Sequence, residues 1–213
     1  MEYLPYLLTF YLAFCSALFS PGPNILAIVG TSMTVSRRAG VLLACGISTG
    51  SLVWSSLAVS GVTALMAAYA PITIALRIMG GAYLVWLGIG FARKATAPRG
   101  EVGARALAKG SALSYYLRGI AVQLTNPKAI LSWLALVAIV ADPAAPLWVS
   151  LAMILGCTSI AFAGHIGWAY LFSTERVVAS YSRASRWIEG ALATFFGAIG
   201  GTLLWDGIRE ARA

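Results

Sequence analysis

Charge is what this chain has least of. Only 10% of its 213 residues are Asp, Glu, Lys or Arg, where a soluble domain carries about 25%. Residues 3–36, 39–76 and 143–174 contain none of them. Such stretches cannot cover a water-facing surface, and each exceeds the roughly 20 apolar residues of a membrane span. A soluble globule is excluded. Acidic groups are the scarcest, 7 against 15 Lys and Arg. No paired carboxylates fall within the apolar runs. The three cysteines, Cys15, Cys45 and Cys157, lie inside apolar runs and form no CxxC pair. They read as small buried hydrophobes rather than a redox or thiolate metal centre. There is no HExxH, no serine-nucleophile motif and no phosphate-cradling glycine loop. An intramembrane hydrolase or an ATP-driven pump lacks its necessary residues. The expectation is a non-enzyme with no cofactor and no metal. The only early charge is Glu2, and without a basic start the first apolar run does not read as a cleaved leader.

What is abundant is apolar surface, 60% of residues with a mean hydropathy of +0.83. Six spans are expected, at about 4–29, 40–66, 72–92, 115–140, 147–172 and 188–208, within roughly four residues at each end. The fold class is all-α, a six-helix membrane protein. It forms one transmembrane domain over 1–213, with a first half 1–92, a polar linker 93–110 and a second half 111–213. The linker holds Pro98, Gly100 and Gly103, and Asp142-Pro143 turns span four into span five. Most of the 15 cations fall between spans one and two (Arg37, Arg38), three and four (Arg93, Lys94, Arg99, Arg105, Lys109, with Arg118 just inside span four), and five and six (Arg176, Arg183, Arg186). Loops rich in Lys and Arg stay cytoplasmic, which places both termini outside. The basic excess therefore sets orientation. With no basic stripe interleaved with exposed aromatics, nucleic acid is not a partner.

The halves resemble each other. Gly81-Ala82-Tyr83, Trp86 and Gly88 of span three align with Gly190-Ala191-Leu192, Phe195 and Gly197 of span six, and Pro23-Asn24-Ile25-Leu26 runs beside Pro127-Lys128-Ala129-Ile130-Leu131. Three spans per half make the second copy inverted, and inverted repeats with interrupted helices are a mark of secondary transporters.

Two interruptions carry the candidate chemistry. In Ser20-Pro21-Gly22-Pro23-Asn24, two prolines remove N–H donors and clash with a continuing helix. A straight helix over 3–36 would be about 51 Å long, against a hydrocarbon core of roughly 30 Å. Either the span is broken at depth, or a proline kink closes a helix end. A break must be buried in protein or line a wet cavity. Its free carbonyls then suit an ammonium and its N–H groups a carboxylate. The second interruption is Thr125-Asn126-Pro127-Lys128. Lys128 either sits near mid-span, where a cation costs about 2.5–3.5 kcal/mol and faces a partner or water, or snorkels to the cytoplasmic face. Pro21, Gly22, Pro23, Asn24, Asn126, Pro127 and Lys128 are the candidate substrate-binding residues. His165, the only histidine, and Glu189, placed at the start of span six, are the proton-coupling candidates. Glu189 there would also suit the helix dipole. Gly46-x-x-x-Gly50, Gly81 and Gly88 read as helix-packing positions.

The chain resembles the lysine exporter (LysE) superfamily, and within it the homoserine/threonine resistance type of bacterial amino-acid exporter. The resemblance rests on Ser20-Pro21-Gly22-Pro23-Asn24, Gly46-x-x-x-Gly50 with Val53-Trp54, Gly80-Gly81-Ala82-Tyr83-Leu84-x-Trp86-x-Gly88, Arg118-Gly119 leading to Asn126-Pro127-Lys128-Ala129-Ile130, and Trp187-Ile188-Glu189-Gly190. It implies a multi-pass carrier of the bacterial inner membrane that expels amino acids on the proton gradient. Partners are then a small amino-acid substrate and the lipid bilayer, with a homo-oligomer left open. Many relatives carry an acid directly after the second glycine of the span-two motif, where this chain has Ser51. Proton coupling through that position is in doubt here. The resemblance does not carry over substrate identity. The rival classes are a passive channel or an exporter of another solute or cation, and a non-transporting scaffold. Few acids or thiols line the spans, against a metal path, and a scaffold has no need of matched helix breaks. The orientation is tested by a tag placed within 95–108. It is expected to stay inaccessible to an impermeant label added outside intact cells, and labelling from outside would invert the orientation.

Overall fold

The computed structural model describes residues 3–20, 22–68, 71–96, 110–140, 145–172 and 175–212. Pro21, most of the linker and the Asp142-Pro143 turn lie outside the described residues. All regular structure among the described residues is helical. The helices are α1 (Leu4–Phe19), α2 (Pro23–Thr34), α3 (Arg37–Ala68), α4 (Pro71–Thr96), α5 (Ala112–Leu124), α6 (Pro127–Ile139), α7 (Leu147–Leu171) and α8 (Glu175–Ala211). Stretches of α3, α4, α7 and α8 are each long and apolar enough to cross a membrane. The pairs α1–α2 and α5–α6 pass the same test as bent units, giving up to six spans.

Sequence chemistry sets the breaks. Pro23 and Pro127 each occupy the first turn of the helix that follows, where the missing N–H costs nothing and the fixed φ is already helical. Before them the chain is extended, at Gly22 with φ −170° and ψ −176°, and at Asn126 with φ −75° and ψ 109°. The Asn126 side chain caps α6 by accepting from the Lys128 backbone N–H. The bend between α5 and α6 is 58°.

Small residues decide which helices touch. A Cβ on Gly46 would lie 2.0 Å from the Tyr116 carbonyl oxygen, and one on Gly119 would lie 2.2 Å from the Leu43 carbonyl oxygen. Neither leaves room for an atom, so α3 and α5 cross nearly backbone to backbone. Gly50 meets the Gln123 side chain one turn on, so these two helices run parallel. On the far side, Gly81 meets Gly200 and Leu204, Gly88 meets Ala193 and Gly197, and Gly207 meets Arg77 and Ile78. Rising numbers in α4 meet falling numbers in α8, so this pair is antiparallel, and Arg77 pairs with Glu210 at its end. Gly80 lies against Ala135 and Ala138 of α6.

Three apolar clusters fill the inside of the bundle, built around Phe10 and Trp133, Ile28 and Ile47, and Leu84 and Phe196, and a set of polar side chains is buried with them. Ser20, Ser48, Ser51, Gln123, Asn126, Ser132 and His165 are buried. Large apolar residues point outward along α1, α3, α4 and α7, among them Leu8, Leu57, Met79, Trp86 and Leu155. Contiguous apolar surface on that scale is a lipid- or partner-facing surface.

Two expectations need correction. The expected spans 147–172 and 188–208 leave 173–187 as a loop between them, but α8 begins at Glu175. Glu189 therefore lies well inside a helix and cannot act on its N-terminal dipole. The misplacement has a simple cause. Arg183, Arg186 and Ser182 lower the local hydropathy without breaking a helix, because hydropathy and helix propensity are separate properties. A Gly46→Ala chain is expected to lose about 1–3 kcal/mol of stability through overpacking, read as a lower unfolding midpoint in detergent. Gly201→Ala, whose Cβ meets nothing within 4 Å, should leave the midpoint unchanged or raise it.

Candidate functional site

The two breaks converge on one cavity at the junction of α1, α2, α3, α5, α6 and α7. Its wall includes Ser20, Gly22, Pro23, Asn24, Ser51, Gln123, Asn126, Lys128, Ser132 and His165, with Phe14, Leu18, Trp133 and Leu136 as its apolar side. The cavity encloses about 60 Å³, where one water needs about 10–15 Å³ in this measure. It is polar, narrow and able to hold a few waters.

A chain of side-chain amides ties the breaks together. Asn126 Nδ2 donates to Asn24 Oδ1 at 3.1 Å, and Asn24 Nδ2 donates to Gln123 Oε1 at 2.5 Å. Gln123 Nε2 donates to Ser51 Oγ at 2.8 Å. Asn126 Oδ1 accepts the Lys128 backbone N–H at 3.0 Å. Every member is satisfied, which is the condition for a polar network inside a low-dielectric bundle. Ser51 is the neutral terminus of this chain. An acid at its place could accept the same amide N–H.

Lys128 reaches from one break to the other. Its Nζ donates to Ser20 Oγ and, at 3.4 Å, to the Ser20 carbonyl. The Ser20 carbonyl is freed by the end of α1, where the backbone turns extended at ψ 132°. A Cβ on Gly22 would lie 3.3 Å from Lys128 Nζ, so glycine there leaves the ammonium its place. The N-terminus of α2 carries no side-chain cap, and its N–H end faces the same cavity as the ammonium. Tyr83 donates from α4 to the Lys128 carbonyl at 3.2 Å. No carboxylate lies within ion-pair distance of Lys128 among the described residues.

His165 is buried on α7 with Nδ1 at 3.1 Å from Ser48 Oγ. Ser48 donates its own proton to the Ala44 carbonyl at 2.9 Å. The histidine Nδ1–H is then the donor to Ser48, and Nε2 keeps the lone pair.

The cavity thus gathers Gly22, Pro23, Asn24, Asn126, Lys128 and His165 of the expected set. Pro21 is outside the described residues. Pro127 lines the neighbouring space between α4 and α6. Glu189 does not line the cavity and lies within electrostatic reach of Lys94. Gly46, Gly50, Gly81 and Gly88 lie at helix crossings. Ser20 was read only as part of the first break and not as a binding residue, and Gln123, Ser48 and Ser132 were not singled out from the sequence. Gln123 had a readable signal, since an amide within an apolar run needs a partner. Ser48 and Ser132 had none, because serine is common in membrane helices and readily hydrogen-bonds its own backbone there.

Chemically, the wall offers amide and hydroxyl groups, a helix N-terminus and one ammonium. It has no activated nucleophile and no cluster of metal-binding side chains among the described residues. Such a wall can hold and release a small polar solute.

A family model described as LysE type translocator matches residues 15–207. The chain is 29% identical to the threonine efflux protein of Escherichia coli strain K12 over 197 residues, 86% of this chain and 90% of that one. It is 26% identical to the uncharacterized membrane protein YahN of the same strain over 200 residues, 92% and 88% of the two chains. It is 29% identical to the leucine efflux protein of Salmonella choleraesuis over 126 residues, 59% and 58%. No solved structure matches. The match across almost the whole length of α1 to α8 answers the question of class, a multi-pass membrane transporter and not an enzyme: the chain belongs to the LysE type translocator family.

Proposed function

We propose that the chain exports small neutral amino acids or derivatives, threonine- or homoserine-like, across the bacterial inner membrane by proton-driven alternating access. The observation that carries this is the meeting of two prolyl helix breaks around one polar cavity, with Lys128 spanning them. In this reading the substrate carboxylate takes the position between Lys128 and the uncapped N–H end of α2. The ammonium takes the freed Ser20 carbonyl and the amide oxygens of Asn24 and Asn126. The apolar wall of Phe14, Trp133 and Leu136 receives the side chain. The printed names of the relatives, threonine and leucine efflux, favour neutral side chains. So does a lining without a carboxylate, which offers nothing to pair with a cationic one.

An amino acid does not fit a cavity of about 60 Å³. Loading it requires the breaks to part, and the Asn24–Asn126 contact opens first in this scheme. Support for the inverted repeat comes from the order bent, straight, straight in each half. Further support comes from Gly88 and Gly197, which are repeat counterparts and meet each other at the antiparallel α4–α8 crossing. A position meeting its own counterpart is what a two-fold axis in the membrane plane produces. The linker is cytoplasmic and both termini are outside. With Ser51 neutral, His165 carries the proton at Nε2, since among the described residues it is the one titratable cavity group besides Lys128. Glu189, away from the cavity, is the second candidate.

Efflux of a panel of labelled amino acids from loaded proteoliposomes, with and without a pH gradient, tests the reading. Threonine and other small neutral residues should leave faster with the gradient than without it. Movement of none of them would end the proposal. Lys128→Met should lower threonine efflux at least about a hundredfold, the loss of a charge-assisted contact of about 3 kcal/mol, while the protein still reaches the membrane. Unchanged efflux would remove Lys128 from the pathway.

A further inference from the structure

Beside the narrow central cavity lies a larger one. It occupies the gap between α4 and the first turns of α6, and it encloses about 410 Å³, within the range of about 300–1,000 Å³ for small-ligand sites. Gly22, Pro23 and Lys128 line both spaces, so the break at Gly22-Pro23 and the Lys128 side chain form the wall between them.

The walls of this vestibule are apolar and aromatic, and its two charged groups are both positive. Phe91 is buried at its floor, held in place by stacking on Phe196 with ring centroids 5.8 Å apart. Lys94 Nζ lies 5.7 Å from the Phe91 centroid and Lys128 Nζ 5.8 Å from it. Two ammonium groups thus flank one ring, near enough to repel each other. Among the described residues no carboxylate lines the space, and none is within ion-pair distance of either lysine. Glu189 reaches Lys94 only at a distance. Tyr83 stacks on Trp86 at 5.7 Å along one side. Trp86 is 64% exposed at the open side. Like charges over apolar walls complement an anion joined to a small apolar body, and a carboxylate is the anion that an amino-acid exporter handles.

We propose that the vestibule is a second, loading site of the transporter, where the substrate's carboxylate bridges Lys94 and Lys128 before the central cavity opens. This rests on the amino-acid export proposed above. Its physical content is the position of Lys128. Its ammonium is tethered to Ser20 on the central side and faces Phe91 on the other. A carboxylate arriving at Lys94 draws the Lys128 ammonium away from Ser20, and its return carries the carboxylate past Gly22. Lys94 stands in the last turn of α4, beside the linker that the orientation above makes cytoplasmic, which is the side from which an exporter loads.

The test separates binding from transport. Purified full-length protein in lipid nanodiscs is titrated with butyrate, a small carboxylate without an ammonium, and with its neutral isostere butyramide. Trp86 emission is isolated as the difference from a Trp86→Phe chain. A saturable change with butyrate, absent with butyramide and weakened about tenfold by Lys94→Gln, is expected. Lys94 is exposed at a helix end, and size-exclusion chromatography checks that its variant is folded. Equal response to butyramide, no response to butyrate, or an unweakened response in Lys94→Gln would overturn the vestibular site. In proteoliposomes loaded with labelled L-threonine, Lys94→Gln should raise the half-saturating concentration about tenfold with little change in maximal rate. An unchanged half-saturating concentration would overturn the loading role. Should wild-type protein move no amino acid, the export reading fails, and the butyrate titration still decides whether the vestibule holds a carboxylate.

Discussion

The structure depends on one constraint, the need to satisfy backbone ends that lie inside a bundle made of apolar helices. Pro23 and Pro127 begin helices where a membrane span would otherwise continue. Each break frees carbonyls on one side and N–H groups on the other. In hydrocarbon an unpaired group of this kind costs several kcal/mol. The chain meets this by placing the two breaks together and supplying side chains between them. Asn126 caps α6, Asn24 joins Asn126 to Gln123, and Lys128 takes the end of α1 at Ser20. The polar cavity is the result. A bundle that must bring its breaks together to be stable has thereby built a place where a polar solute can replace the contacts it displaces.

Around this centre the packing divides by helix. The α4–α8 pair meets along glycines from Gly81 to Gly88 and is closed by Arg77 and Glu210 at one end. The α3–α5 pair meets at Gly46 and Gly119 with almost no side chain between. Close backbone contact of this sort relies on dispersion over many small contacts and tolerates no added atom. Both pairs are therefore stiff units. The contacts that can exchange cheaply are the amide and ammonium hydrogen bonds that join α1, α2, α5 and α6, because water or a zwitterion offers equivalent partners.

Ser51 closes the network with a neutral hydroxyl. Gln123 donates to the hydroxyl as it would to a carboxylate, so the fold does not depend on an acid there. His165, held by Ser48, lines the same cavity as this network, whereas Glu189 lies within electrostatic reach of Lys94.

The chain's membrane class, its helical content and the location of both breaks are properties of short stretches, and the sequence by itself determined them. Hydropathy sums over neighbours along the chain, and proline acts on the residues next to it. Lys128 stood out for the same local reason, a cation in an apolar run. Which groups share a cavity depends instead on how each helix is rotated about its own axis, and only the tertiary structure decided that. The rotation follows from where glycines let backbones approach, as Gly46 against Gly119 turns Gln123 toward Ser51 and Asn24. Ser20, Gln123 and Ser48 gained their roles there. Glu189 lost its expected place at a helix start because α8 runs on through a polar stretch. Ordinary serines and an amide became a site only because helices distant in sequence were brought within hydrogen-bond length.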